Sequence, residues 1–237
     1  MPGSIRDKRL SIGRCTWLAL IPVLMMPAVL VADENEAEGL SFDGLVPVED
    51  SVSQIAYIDP DADFSVFKRV AILEPYVAFR SNWMRDYNQA RRTNRVRASD
   101  MERIKKDVAD LLMEVFTEQL EAAGYDVVNY SGEDVLIVRP AIIDLEVNAP
   151  DTRTTTNVRT YTSSAGTATI YVELFDSMTG DIVGRAADRR KARDAGDMTI
   201  LSNRLTNRAD ASRMFRTWAD MLVGFLDKHY VKPAAAE

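Results

Sequence analysis

Few residues in this sequence have the type and spacing that chemistry needs. The chain carries one histidine, His229, and one cysteine, Cys15. Imidazole is the usual general base near neutral pH and the commonest metal ligand. Zinc and copper sites recruit several His and Cys side chains together, so one of each argues against both metals. His229 falls at the expected end of the last helix, where it suits the negative pole of the helix dipole. A Ser-His-Asp arrangement would have to use it from that end, and no G-x-S-x-G elbow accompanies it.

Carboxylates are plentiful. Asp144 and Glu146 share one face of an expected strand, a pairing that acid-base hydrolysis can use. Acids alternating with apolar residues are equally the look of a solvated sheet surface, and both readings stand. Asp176-Ser-Met-Thr-Gly-Asp181 sets oxygens around a glycine, a faint outline of a calcium loop that a turn explains fully. Neither phosphate-cradling glycine pattern occurs, so nucleotide hydrolysis and dinucleotide redox lose their support. No catalytic, cofactor-binding or metal-binding residue is assigned, and no cofactor is expected.

One segment does stand out. Between residues 80 and 97, six arginines face a single acid, Asp86, with Trp83, Met84 and Tyr87 interleaved. Arg80, Trp83, Arg85, Tyr87, Arg91, Arg92 and Arg95 form the candidate partner surface. It suits an anionic polymer, a lipid headgroup or an acidic protein face. The alternative is that the arginines pair with the protein's own acids while Trp83 plugs the core. A second basic cluster, Arg185, Arg189, Arg190, Lys191 and Arg193, is diluted by Asp188 and Asp194. It reads equally well as protection of an edge strand.

Where these residues work is set by the N-terminus. Residues 1–32 read as a secretory signal: Arg6, Lys8, Arg9 and Arg14, then the apolar run Trp17 to Ala32, then acids. A spanning helix needs about 20 apolar residues. The run is shorter and contains Pro22 and Pro27, so cleavage is expected over a retained anchor. Cys15 precedes the run and follows Arg14, the wrong place for a lipid acceptor. Cleavage leaves 25 basic and 35 acidic residues, deepening the charge from −7 to −10. An acidic body without cysteine excludes disulfides and argues against nucleic-acid binding. The expected compartment is the periplasm or cell envelope of a Gram-negative bacterium.

The elements that must position these residues follow from periodicity. Residues 33–63 are acidic and turn-rich and are expected as an extended arm, with Leu45, Val46, Val48, Ile55 and Tyr57 able to pin it. Phe67 to Phe79 reads as a buried strand broken near Pro75. Ser99 with Glu102 predicts a capping box, and the helix that follows should close at Gly124. Tyr125–Tyr130 and Asp134–Val147 read as strands, the second with Ile143, Leu145 and Val147 on one face. Thr167–Phe175 and Ile182–Arg190 read as a hairpin around Asp176–Gly180. The last helix should run from about Ala209 to His229, its apolar stripe carried by Phe215, Trp218, Leu222 and Leu226. The expectation is an α+β two-layer sandwich over residues 64–231. It has a mainly antiparallel sheet, two long amphipathic helices packed on one face, and a disordered tail at 232–237.

The hairpin also carries a resemblance. Tyr171-Val-Glu-Leu-Phe-Asp176-Ser-Met-Thr-Gly180, followed by Ala187-Asp188-Arg189, resembles the DUF3313 family of bacterial envelope proteins. Asp61-Ala-Asp-Phe64 before Lys68-Arg-Val-Ala71 is similar to that family's opening strand, and Phe215-Arg-Thr-Trp218-Ala219 to its closing helix. The resemblance covers residues 40–230. It implies an envelope location and supplies no activity. Many members look like lipoproteins, from which this chain departs. The expected function is a non-enzymatic binding or accessory module using a sheet edge and the Arg/Trp-rich loop 80–97. Its partner would be an envelope protein or an anionic surface, with no nucleic acid and at most peripheral contact with the membrane. The alternatives are a hydrolase using sheet-face carboxylates and a signal-anchored periplasmic subunit of a membrane complex.

Overall fold

The computed structural model describes residues 43–91, 95–150, 160–162, 164–192, 200–202 and 204–229. The expected signal, the C-terminal tail, Arg92 and Arg193 lie outside these residues. In chain order the elements are β1 (Val46–Pro47), β2 (Ile55–Ile58), β3 (Arg69–Ile72), β4 (Tyr76–Phe79), α1 (Trp83–Gln89), α2 (Ala98–Ala122), β5 (Asp126–Val128), β6 (Val135–Val147), β7 (Thr160–Thr162), β8 (Gly166–Asp176), β9 (Ile182–Ala192), β10 (Ile200–Ser202) and α3 (Arg204–His229). Among the described residues this is a mixed α/β fold with three helices and an eight-stranded, mostly antiparallel open sheet. The sheet order is β1-β2-β9-β8-β6-β3-β5, with β4 also on β6. β7 and β10 form a separate two-stranded ribbon.

Period-two patterning sets the centre of the sheet. Leu136, Val138 and Ile142 of β6 and Ala168, Ile170, Val172 and Leu174 of β8 all join one buried core. Leu112, Val115, Phe116 and Leu120 of α2, and Phe215, Trp218, Leu222 and Leu226 of α3, complete it. Each fully buried side chain of this size contributes about 1.5–3 kcal/mol. β3 and β4 run in parallel along the same side of β6, one after the other. Pro75 lies in the gap between them. Leu73 N–H donates to Val138 O at 2.9 Å, so alternation turns Pro140, two residues on, toward the same gap. A proline without an N–H is tolerated in this central strand because the neighbouring strand is interrupted there.

The helix closes as its glycine predicts. Gly124 has φ 86°, and Gly124 N–H and Tyr125 N–H donate to Glu121 O and Leu120 O, both at 2.9 Å. That is the paired bonding of a Schellman end. The start differs from the expectation. α2 begins at Ala98, and the Asp100 carboxylate accepts the Arg97 N–H at 3.0 Å, so Ser99 lies inside the helix. α3 begins at Arg204, earlier than the apolar stripe alone indicated.

Two expectations about the chain need larger corrections. Residues 43–63 are not an arm of little regular structure: β2 pairs with β9 and β1 with β2, extending the sheet, and Leu45 is buried. Alternation also fails in β6. Asp144 adopts φ 51° and the register with β8 shifts between Ile143 and Glu146. A bulge of this kind absorbs one residue. Ile143 and Glu146 therefore point to the same uncovered face, while Leu145 turns into the core. Gly166 opens β8 where β6 passes closest, since a Cβ there would sit 2.0 Å from Glu146 O.

Candidate functional site

The basic segment folds onto itself. Trp83 is buried, stacked on Phe79 with ring centres 4.4 Å apart, and Tyr87 lies 5.4 Å from it. Burial pushes the Tyr87 hydroxyl above its ordinary pKa, and the nearby Arg91 charge opposes this. The Arg91 guanidinium covers the Tyr87 ring at 3.9 Å and donates to Asn148 O at 3.3 Å. Arg80 reaches Asp86 at 3.2 Å and Glu146 at 2.8 Å. Arg85 pairs with Asp86 at 3.1 Å. Hydrogen bonds from Arg85 and Arg80 hold the Asp86 carboxyl below its usual range. Asn88 ties down the loop that follows, exchanging two hydrogen bonds with the buried Val96 backbone. The candidate surface thus divides. Trp83, Arg80 and Arg91 are bound inward, Tyr87 is half-buried, and Arg85 and Arg95 are exposed.

The uncovered sheet face holds the carboxylates that hydrolysis would need. Glu173 is buried between Arg139, whose Nε donates to it at 2.8 Å, and Arg185 at 3.7 Å. Tyr171 donates its hydroxyl to Glu173 at 3.0 Å. Burial first, and then that bond, raise the Tyr171 pKa. Arg185 also pairs with Asp43. Asp144 and Glu146 both lie 3.9 Å from Arg189. Every one of these carboxylates has an arginine beside it. The geometry is an ionic ladder across β6, β8 and β9.

On the helix side the arrangement is different. Asp188 of β9 is buried, and its Oδ2 accepts from the Trp218 indole N–H at 2.7 Å and from Arg190 Nε at 2.6 Å. Next to this contact a cavity of about 470 Å³ separates α3 from the β2–β9 pair. Ile170, Val172, Leu174, Met221, Leu222 and Phe225 give it apolar walls. Small residues are part of its lining: Ala56, Gly184 and Ala186 on the strands, Gly224 on the helix. Lys228 and His229 line it one end of α3 further on. Eleven residues separate Trp218 from His229 on that helix, a span of about 16 Å. His229 packs on Phe225 at 4.7 Å and Phe64 at 5.9 Å, and burial pushes its pKa down. The sequence reading missed this groove, counting Asp188 as a dilution of basic charge and as part of a family motif, without a partner. Its signal was present: Asp188 falls in the inward phase of β9, and Trp218 lies on the apolar stripe of α3.

Two motifs far apart in the chain, Ala187-Asp188-Arg189 and Phe215-Arg-Thr-Trp218, therefore meet through one buried hydrogen bond. A third, the turn at Asp176, is built as its residues require. The Asp176 carboxylate accepts from Met178 N–H at 2.7 Å, and Gly180 sits at φ 76°. Ser177 Oγ both donates to and accepts from the Gly132 backbone, fixing the turn to the start of β6. The model of the family described as "Protein of unknown function (DUF3313)" matches residues 36–222. The chain belongs to this family. The match begins before β1, in agreement with β1 and β2 being part of the DUF3313 sheet.

No curated protein matches this DUF3313 chain. Solved structures resemble it distantly. A PelC dodecamer from Paraburkholderia phytofirmans is 12% identical at a TM-score of 0.35, covering 68% of this chain and 91% of that one. A DUF330 protein from Xanthomonas campestris is 12% identical at 0.38, covering 70% and 86%. A DUF4136 family protein from Bacteroides thetaiotaomicron is 15% identical at 0.33, covering 76% and 98%. At these scores the likenesses carry no argument about function.

Proposed function

We propose that this chain is an exported, non-enzymatic binding module of the bacterial envelope, and that it takes its ligand in the groove between α3 and the β2–β9 pair. In this reading α2 and α3 form a second layer on one sheet face, and the groove is the place where that layer stands off. The observation that carries it is the cavity itself. Its volume lies within the roughly 300–1,000 Å³ common to ligand pockets, and it pairs apolar walls with a few fixed polar groups, as such pockets do. Export is supported by the basic, apolar, acidic order of residues 1–36. No helix among the described residues is long and apolar enough to cross a membrane.

The other surfaces offer less. The sheet ends in β1 and β5, two and three residues long, and edges that short give an added strand little to pair with. The carboxylates of the uncovered face are engaged by arginines, which disfavours the hydrolase reading. A solvatochromic apolar dye tests the proposal. It should bind saturably to the intact chain and lose affinity in Gly224→Leu, while Asp144→Asn with Glu146→Gln leaves binding unchanged. Dye binding that ignores Gly224→Leu would place the ligand elsewhere.

A further inference from the structure

The ligand class follows from what the groove contains and what it lacks. Gly224 sits inside a 26-residue helix, where glycine costs about 1 kcal/mol relative to alanine. Packing does not demand it, because a Cβ at Gly224 would meet nothing within 4 Å. Gly224 is exposed, so its missing side chain widens the open side of the groove. Gly184 of β9 also lines the groove and is buried, with Leu174 Cδ1 at 3.4 Å from where its Cβ would lie. A glycine on the helix and another on the strand thus both leave the groove wider than a larger residue would.

A peptide is a poor occupant. β2 and β9 pair along the floor, so their ladder groups are used. α3 bonds its own backbone, and the Asp188 carboxylate holds Trp218 and Arg190. A main chain in the groove would leave its N–H and C=O groups facing apolar walls, which costs several kcal/mol for each unpaired group. A hydrocarbon chain has no such groups to satisfy. The groove mouth adds a charge. Lys228 is exposed there. Of the other charged residues lining the groove, Asp50 and Asp220 are also exposed, Asp220 eight residues before Lys228 on α3, while Asp188 is held by Trp218 and Arg190. The neighbouring His229 is held toward the neutral form and Arg185 is engaged by Asp43 and Glu173, which leaves the ammonium of Lys228 for an anionic headgroup.

Resting on the binding-module reading above, we propose that the groove seats one acyl chain of a membrane phospholipid, with the lipid phosphate at Lys228. The chain would lie along α3 from the headgroup at Lys228 toward Trp218.

The test uses the intact chain and lysophosphatidylglycerol carrying a brominated acyl chain, supplied as monomers. Bromine quenches indole fluorescence only at close range. Quenching should be saturable, should approach one lipid per protein, and should vanish in Trp218→Phe while surviving in Trp83→Phe. Gly224→Leu should weaken binding about tenfold, a change of 1.4 kcal/mol, with unchanged circular dichroism. Lys228→Glu should weaken it several-fold, and only for the anionic lipid, not for an uncharged monoacylglycerol. Quenching that depends on Trp83 alone overturns the proposal. So does lipid binding that appears only after residues 230–237 are deleted, because that segment would then be the groove's natural occupant. If the dye binds and responds to Gly224→Leu while the lipid does not quench, the acyl assignment fails and the binding-module reading stands. If neither probe responds to Gly224→Leu, both fail.

Discussion

Trp83 and Trp218 are both buried, and each stands among arginines and a carboxylate, yet their surroundings end in opposite ways. Around Trp83 every gap is closed. Phe79 stacks on one side, Tyr87 leans on the other, Arg91 covers Tyr87, and Arg80 spans from Asp86 to Glu146. Around Trp218 the polar contact is satisfied by Asp188, but the space beside it is left empty. The difference lies in the neighbours. Large aromatic and arginine side chains fill the first site, while glycine and alanine line the second. A tryptophan with arginines nearby thus describes a plug in one place and the wall of a groove in the other, and the small residues decide which.

The largest effect that separates the two sites is expected from Trp83→Ala. Removing a fully buried tryptophan costs about 3–5 kcal/mol, and the aromatic neighbours of Trp83 have no room to collapse without moving α1. Urea denaturation should show a loss near the top of that range. A loss under about 1 kcal/mol, the scale of an ordinary surface change, would mean that the segment is loose and able to present Trp83 to a partner.

Asp188→Ala should follow, at about 3 kcal/mol. Breaking a buried charged pair costs about 3–5 kcal/mol, and the figure falls to the lower end because the Arg190 side chain is 35% exposed and recovers some hydration. The Trp218 N–H is left without an acceptor. Trp218→Phe in the Asp188→Ala background should cost less than the sum of the two single changes, since the two residues share one bond. Additive losses would show that Asp188 does not act through Trp218.

Gly224→Ala should change sign. It should raise stability by up to about 1 kcal/mol, because the new methyl enters open space. A destabilising Gly224→Ala would mean that the groove closes in solution, and the contrast between the two tryptophans would disappear.

These contrasts also explain what the sequence made legible. Local rules reported local structure. Gly124 ended its helix, Asp176 and Gly180 built their turn, and the even-numbered residues of β8 went to the core. The basic segment was visible as composition, but composition does not distinguish six arginines awaiting a partner from arginines already bound to Asp86, Glu146 and the Asn148 carbonyl. That depends on Glu146 and Asn148, which lie 66 and 57 positions from their partners in the chain. The partner of Asp188 went unread for the same reason, since Trp218 is 30 residues away. The bulge at Asp144 was hidden because only its left-handed backbone, not its residue type, breaks the alternation. The groove is an absence, made by residues with little side chain, and periodicity is blind to those.

The smallest effects test the rims of the two sites. Arg85→Ala should shift stability by less than about 0.5 kcal/mol, as exposed ion pairs contribute little. A loss well above that would tie Arg85 to the closed network around Trp83. At the groove, His229 should produce a shallow pH dependence of definite sign. Burial lowers its folded pKa below the ordinary value of 6.5. The unfolded chain therefore takes up a proton first as pH falls, which favours unfolding. The contribution of His229 is complete above pH 6.5 and fades as the pH drops toward the folded pKa. His229→Phe keeps the ring contacts with Phe225 and Phe64 and removes the proton. The difference in unfolding free energy between the two proteins should then be flat above neutrality and should shift in favour of the variant in mild acid. A difference that moves the other way would mean that His229 is charged in the fold, making it a second cation beside Lys228. The groove mouth would then strengthen its hold on an anion as pH falls, in contrast to the Trp83 site, where no histidine is near.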